Sequence, residues 1–142
     1  MNDDKITFEI KKTSNLIKRT LNTKYPSHIT TTNMIILNYI DENNKNDKFT
    51  YAKDLEEFLE IRRSSISEIL DGMESKKLIK RNIGNDLRTK EIILDKKGIE
   101  ILEEFRENIR KFELGLHKNI DDNDLLIFFK VLKTIRKNLE EI

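Results

Sequence analysis

The sequence predicts a mainly α-helical fold with one small β-hairpin. Its 142 residues include a single proline and four glycines, so few positions interrupt a helix. Apolar residues recur three and four positions apart over most of the chain, which is the period of an amphipathic helix. Residues 79–83 alternate with a period of two, and residues 92–94 form a second β-like run.

The composition is that of a globular protein and excludes several classes of site. Charged and apolar residues each make up 37% of the chain, and the apolar residues are too periodic for a disordered protein. The absence of cysteine excludes disulfides, thiolate metal sites and thiol-based redox sensing. No apolar run approaches the roughly 20 residues that span a bilayer, and the acidic start does not resemble a signal peptide. We therefore expect a cytoplasmic protein with no membrane partner.

Charge is unevenly distributed along the chain. The net charge is +1, whereas residues 61–90 carry eight basic and four acidic side chains. That segment is therefore at +4 and the remainder at −3. A locally basic segment in a near-neutral chain favours a polyanionic partner.

Two helices are predicted in the N-terminal part of the chain. The first runs from about residue 5 to residue 24 with one apolar seam, and Pro26 ends it. Thr30 is expected to cap a second, very apolar helix. Residues 41–48 are polar and predict a loop.

A helix-turn-helix is predicted next. Thr50 is expected to cap a third helix, and the fourth follows after a very short turn. Ser65 and Glu68 have the spacing of a capping box for this fourth helix, although Ser64 could cap it one residue earlier. The apolar positions of the fourth helix fall at i, i+3, i+4 and i+7, namely Ile66, Ile69, Leu70 and Met73. A second helix that starts with exposed polar groups is typical of this motif.

The two last helices carry apolar seams with alternating spacings of three and four, which is typical of coiled coils. Together with the first helix they offer more apolar surface than one small domain needs to bury, which favours a homodimer held by both chain ends. The expected dimerisation residues are Ile6, Ile10, Ile17, Leu102, Phe105, Ile109, Phe112, Leu116, Leu125, Phe128, Leu132, Ile135 and Leu139. The predicted organisation is a dimerisation helix and connection over 1–29, a DNA-binding region over 30–95 and dimerisation helices over 96–142.

This order of elements resembles the MarR family of winged helix-turn-helix transcription regulators over nearly the whole chain. The stretches RRSSISEILDGMESKKLIKR and NDLRTKEIILDKKG carry the resemblance. The family's D-x-R at the hairpin tip is matched by Asp86-Leu87-Arg88, and its Leu-Thr-x-Lys-Gly by residues 94–98, with Asp95 as the helix cap. The chain departs from the family at Glu60 and Lys77, where a glycine is usual, and at Glu56, where a small residue is usual.

The resemblance implies a homodimeric, sequence-specific regulator of transcription, with repression as the expected outcome. The fourth helix would enter the major groove of double-stranded DNA, and the hairpin, or wing, would reach the minor groove with Arg88. The residues expected to contact DNA are Thr50, Arg62, Arg63, Ser64, Ser65, Ser67, Glu68, Asp86, Arg88 and Lys90. Hydroxyl groups can donate to phosphates or base edges, either arginine of the pair can reach a guanine or the backbone, and Glu68 can accept from cytosine N4.

Other interpretations stay open at this point. Asp86 and Arg88 can form a hairpin salt bridge. The acidic residues Glu56, Glu57, Glu60 and Glu68 favour a winged dimer that binds another protein instead of DNA. The resemblance also implies a small-molecule effector of unknown identity, for which no residues are assigned. The motifs of common enzymes are absent and His28 and His117 are the only imidazoles, so no enzyme, cofactor or metal site is predicted.

Overall fold

Eight secondary-structure elements follow one another in the predicted order. The computed structural model describes residues 5–83 and 90–142. The elements within these segments are α1 (Ile6–Lys24), α2 (Thr31–Lys45), α3 (Ala52–Leu59), α4 (Arg63–Ser75), β1 (Ile79–Ile83), β2 (Lys90–Leu94), α5 (Lys96–Leu116) and α6 (Asp122–Glu140). The predicted fold class, mainly α with a small hairpin, is confirmed.

Helix α2 begins as predicted but ends later. The Thr30 side chain accepts a hydrogen bond from the Asn33 backbone N–H at 3.0 Å, which is the expected N-cap. The prediction of a loop over 41–48 is wrong for residues 41–45, which continue the helix. An ion pair of 3.2 Å between Lys45 and Asp41, four residues apart, stabilises this last turn.

The start of α3 differs from the prediction. Thr50 does not cap the helix, because Tyr51 is the N-cap residue and its backbone N–H donates to the Asp54 carboxylate at 2.9 Å. Thr50 is buried instead. Its hydroxyl accepts from the side-chain amide of Asn43 at 2.9 Å, and its carbonyl accepts from the Ile92 N–H at 2.8 Å. Thr50 therefore ties α2 to strand β2.

By its contacts the chain divides into two compact units, Met1–Asn108 and Ile109–Ile142. The core of the first unit is built by α2, α3, α4, the hairpin and the start of α5. Its buried apolar residues are Met34, Ile36, Leu37, Ile40, Leu55, Ile66, Leu70, Met73, Leu78, Ile79, Ile92 and Leu102. Leu102 was expected in a dimer interface, but it is only 2% exposed and belongs to this core. The spacing of apolar residues along a helix does not by itself distinguish a core position from a position in a dimer interface.

The two strands pair in antiparallel register, with Ile79 opposite Leu94 and Arg81 opposite Ile92. The hairpin is joined to α5 at a close approach. An ideal Cβ on Gly98 would lie 2.1 Å from the carbonyl oxygen of Leu78, so only glycine fits there without a shift of backbone. Asp95 precedes α5 as predicted, and its carboxylate accepts from the Lys96 N–H at 2.7 Å.

Arg106 of α5 binds α2 within the first unit. Its guanidinium lies 2.7 Å from the Asp41 carboxylate and donates to the side chain of Asn38 at 2.9 Å. Burial by itself would raise the pKa of Asp41, but the hydrogen bonds and charges of Arg106 and Lys45 outweigh it, so the pKa lies below its usual value. This contact holds the first part of α5 against the core.

The N-terminal and C-terminal helices expose apolar side chains. Over the described residues, neither α1 nor α6 has a buried side chain. In α1, Ile6 is 57% exposed, and in α6 Phe128 is 52% exposed. A helix in a globular protein derives most of its stability from burying an apolar face, so these faces are incomplete in a single chain.

Candidate nucleic-acid interface

The first turn of α4 forms the centre of the candidate interface. Arg62 is the N-cap residue, and the first helical hydrogen bond runs from the Ile66 N–H to the Arg62 carbonyl at 3.0 Å. The predicted capping box of Ser65 and Glu68, and the alternative cap by Ser64, are wrong. Both serines already lie within the helix, and no side chain within the described segments caps it.

The absence of a side-chain cap leaves donors at this end of α4. The backbone N–H groups of Arg63, Ser64 and Ser65 have no earlier carbonyl to bond within the helix, and the helix dipole places partial positive charge on them. Two guanidinium groups and two serine hydroxyls share this turn and are exposed. Such a turn is suited to a phosphate or another anion.

The structure brings six of the predicted DNA-contact residues together on the solvent side of α4. These exposed residues are Arg62, Arg63, Ser64, Ser65, Ser67 and Glu68. The opposite face of the helix is buried through Ile66, Leu70 and Met73, and Ile69 is half-buried. The core therefore fixes which side of α4 faces outward.

Thr50 does not belong to this surface. Its side chain is 1% exposed, and its hydroxyl is bonded to Asn43, so it cannot reach a phosphate in this arrangement. The predicted phosphate contact by Thr50 is therefore wrong.

The wing is described only in part. Asp86 and Arg88 lie outside the described residues, so both the minor-groove role and the hairpin salt bridge stay predictions. Lys90, the first residue of β2, is exposed and pairs in register with Ile83.

Arg81 has a role that the sequence pattern did not reveal. Its guanidinium donates to the carboxylates of Asp71 and Glu74, which lie three residues apart on α4. The hydrogen bond to Asp71, together with that to Glu74, outweighs burial and raises the pKa of Arg81. The Arg81 contacts connect the strand that leads to the wing with the helix that carries the candidate interface. The position of Arg81 on the same strand face as buried Ile79 was the available signal.

Acidic residues border the interface on the α3 side. Glu57 and Glu60 are exposed, and Glu60 adopts a left-handed backbone with φ 53° and ψ 44°. One carboxylate oxygen of Glu56 is buried without a hydrogen-bond donor among the described residues. The acidic side chains lower the positive potential near the turn that begins α4.

An open cavity of about 370 Å³ lies between the first turn of α2 and the edge of α4 at which its buried and exposed faces meet. It is lined by Thr30, Thr32, Asn33, Glu68, Ile69, Gly72, Met73 and Lys76. Glu68 thus belongs both to the cavity wall and to the exposed face of α4.

Within residues 5–83 and 90–142, no cluster of three or more His, Cys, Asp or Glu side chains is arranged to hold a metal ion. In the same part of the chain, no helix has both the length and the apolar character needed to cross a membrane.

No protein-family model and no curated protein matches the sequence. Among solved structures, the chain is similar to MepR, a transcription regulator of the Staphylococcus aureus multidrug efflux pump MepA. The identity is 21%, the TM-score is 0.80, and the match covers 95% of this chain and 98% of that one. The S. aureus MepR–DNA complex matches with 21% identity, a TM-score of 0.69 and coverage of 98% and 99%. The heme sensor PefR of Streptococcus agalactiae, in complex with heme, matches with 21% identity, a TM-score of 0.66 and coverage of 95% and 94%. These likenesses show that the chain has the MarR-type winged helix-turn-helix fold.

Proposed function

We propose that this winged helix-turn-helix chain is a transcription regulator that binds double-stranded DNA in a sequence-specific manner. The observation that carries the proposal is the exposed start of α4, where two arginines, two serines and uncapped backbone N–H groups share one turn. Phosphate contacts by this turn would position the helix, and Ser67 and Glu68 would face base edges in the major groove. MepR, which has the same fold, has a crystal structure in complex with DNA.

The proposed regulator acts as a homodimer. The incomplete apolar faces of α1 and α6 support this, because a second copy can cover them with equivalent residues of its own. Two copies of α4 held about 34 Å apart would match one turn of the double helix, so the operator would be pseudo-palindromic. Leu102 is no longer among the proposed dimerisation residues, since it lies in the core.

Repression by occupancy of the operator, and relief by a small-molecule effector, are the finer parts of the proposal. PefR is a heme sensor, so this fold carries a sensing function in another protein. Catalysis is not part of the proposal, since the solved structures of similar fold named above are a transcription regulator and a heme sensor.

A salt titration tests DNA binding through the start of α4. Binding of a duplex through several phosphates should lose affinity steeply with salt, with a log–log slope of about −0.9 per phosphate contact. We expect Arg63→Gln to lower the magnitude of that slope by about one contact. Lys18→Gln is the matched control, because Lys18 is an exposed cation on α1, a helix that contributes no residue to the candidate interface.

The rival function, a winged dimer that binds another protein, is favoured by exposed Glu57 and Glu60 beside α4. In that case duplex binding would be absent at low salt, or Arg63→Gln and Lys18→Gln would change it equally. Either result would contradict the proposed DNA interface at the start of α4. The role of Arg88 is checked separately with Arg88→Ala, which should weaken duplex binding at low salt.

A further inference from the structure

We propose that Arg106 is a positioning residue that fixes the distance between the two α4 helices of the dimer, and with it the half-site spacing that the protein accepts. Its guanidinium lies 2.7 Å from the Asp41 carboxylate and donates to the side-chain oxygen of Asn38 at 2.9 Å. The effect on DNA rests on the proposed function, whereas the effect on the distance requires only the homodimer.

The two partners of Arg106 belong to one turn of α2. Asn38 and Asp41 are three residues apart, and two different nitrogens of the planar guanidinium reach them at the same time. Contacts at two points restrain the direction of the side chain as well as its distance. A single ion pair at a surface restrains a helix much less.

Helix α2 is a rigid reference for this contact. Ile36, Leu37 and Ile40, on its inner face, are fully buried. The inner face of α4 packs into the same core. A change in the direction of α5 relative to α2 is therefore also a change relative to α4.

Three contacts with the core follow one another along one face of α5. Gly98 lies against the Leu78 carbonyl, Leu102 is buried in the core, and Arg106 binds α2. They are four residues apart, which corresponds to about 6 Å along the helix axis for each interval. The contacts therefore span about 12 Å, and the second half of that length depends on Arg106.

The length of this span determines how far the core can tilt relative to α5. If each contact allows about 0.5 Å of movement, the tilt is about 2° over 12 Å but about 5° over 6 Å. Each α4 lies about 17 Å from the two-fold axis of a dimer whose recognition helices are about 34 Å apart. At that distance the two tilts displace α4 by about 0.7 Å and about 1.4 Å, so loss of the Arg106 contact about doubles the spread of its positions.

Helix α5 also carries part of the proposed dimer interface. Phe105, next to Arg106 in the sequence, is one of the proposed dimerisation residues and is 41% exposed. When one α4 is bound, the effective concentration of the other at its half-site falls as the spread of positions grows. A doubled spread in the two directions of tilt lowers it about fourfold.

Pulsed EPR tests the effect on the distance without DNA. The chain has no cysteine, so Ser75→Cys gives one labelling position per protomer, at the exposed end of α4. We expect Arg106→Met to about double the width of the distance distribution between the two labels. Lys45→Met is the matched control, because it removes the other cation paired with Asp41, at 3.2 Å, and leaves the Arg106 contact in place. Its distribution should have the wild-type width.

Duplex binding tests the effect on the operator, with the inverted repeat enriched from a random library as the probe. Arg106→Met should bind this repeat about fourfold more weakly than the wild type, with unchanged affinity for a single half-site and an unchanged salt slope. Arg106→Lys keeps the charge but cannot fork between two partners, so its loss should be smaller.

The proposal is wrong if Arg106→Met leaves the width unchanged, if Lys45→Met broadens the distribution equally, or if the repeat and the single half-site lose affinity equally. A monomeric wild-type protein would also contradict it. Broadening by Arg106→Met in a protein that binds no duplex would support the positioning of α4 and contradict the proposed function. Tight binding of the repeat with an unchanged width would support the proposed function and contradict the role of Arg106.

Discussion

At the scale of single residues, the turn before α4 is strained. Glu60 follows α3 with a left-handed backbone, and its N–H donates to the Glu56 carbonyl as in a helix C-cap. Residues with a Cβ pay about 1–2 kcal/mol for this conformation, which glycine adopts freely. The family that the sequence resembles has glycine there, so this chain keeps the turn geometry at a cost.

Glu60→Gly should therefore stabilise the fold by about 0.5–1 kcal/mol, after the extra entropy of the unfolded glycine is subtracted. Urea denaturation measures the change. Glu60→Ala removes the same charge but keeps the Cβ, so it should give no such gain. Equal stabilisation by both variants would mean that charge, and not backbone strain, dominates at this position.

Gly98 is a second residue whose identity the packing dictates. Gly98→Ala would place a methyl group against the Leu78 carbonyl, and the shift needed to relieve it should cost about 1–3 kcal/mol. Gly72→Ala is the matched helical control and should be neutral or stabilising by up to about 1 kcal/mol, since nothing lies within 4 Å of its Cβ. Thermal unfolding of both variants measures these changes in stability. An unchanged melting temperature for Gly98→Ala would show that the hairpin and α5 separate easily.

Several predictions for single residues are wrong because the role of the residue depends on contacts in the folded chain that the sequence pattern does not show. The spacing of Ser65 and Glu68 matches a capping box, yet the helix starts earlier because Arg62 already provides its first acceptor. Thr50 has the sequence context of a cap, but Asn43 and Ile92 bind it within the core. The open cavity between α2 and α4 was not predicted, because it depends on how two helices that are separated in sequence pack together.

At the scale of secondary-structure elements, Arg81 links strand β1 to helix α4. Its side chain is 23% exposed and donates to two carboxylates of α4. Because Asp71 and Glu74 neutralise it, Arg81 is a poor candidate for a phosphate contact. Its contribution to DNA binding would be to hold β1 and α4 in one relative orientation.

Arg81→Met and Arg81→Lys should each weaken duplex binding by about fivefold without changing the salt slope, the loss that corresponds to about 1 kcal/mol. The lysine variant keeps the charge but cannot fork between two carboxylates. Faster exchange of the hairpin amides in both variants would report the loosened strand without reference to DNA. If lysine restores full affinity, or if methionine lowers the salt slope, Arg81 acts through charge on the duplex instead.

The order of elements could be predicted from the sequence, whereas some boundaries could not. Periodicity placed the six helices and two strands of the described residues, because each apolar face is local to its element. The end of α2 was missed, since residues 41–45 are polar and gain their order from the Lys45 ion pair and from Arg106 of α5. Leu102 was assigned to the dimer interface, although it lies in the core, because apolar residues in both environments have the same spacing along a helix.

At the scale of the whole molecule, the proposed function requires a second copy of the chain. The apolar residues of α6 remain at least partly exposed in the described part of the chain, and Leu126, Phe128, Phe129 and Leu139 are each more than half exposed. Such contiguous apolar surface typically marks an interaction site. In the proposed dimer these residues become the shared core.

Phe128→Asp should therefore convert the dimer to a monomer and abolish operator binding, because it places a charge in the apolar interface. Sedimentation equilibrium measures the change in mass. Lys130→Asp adds the same carboxylate two residues along, where the side chain is exposed and polar, and should stay dimeric. A Phe128→Asp protein that remains dimeric would exclude this face of α6 from the interface.

Selection of bound sequences from a random duplex library with the wild-type protein tests directly whether the chain is a dimeric, sequence-specific DNA-binding protein. We expect enrichment of an inverted repeat whose half-sites are centred about one helical turn, about 10–10.5 base pairs, apart. Recovery of unrelated sequences, or of a single half-site without its symmetric mate, would contradict it.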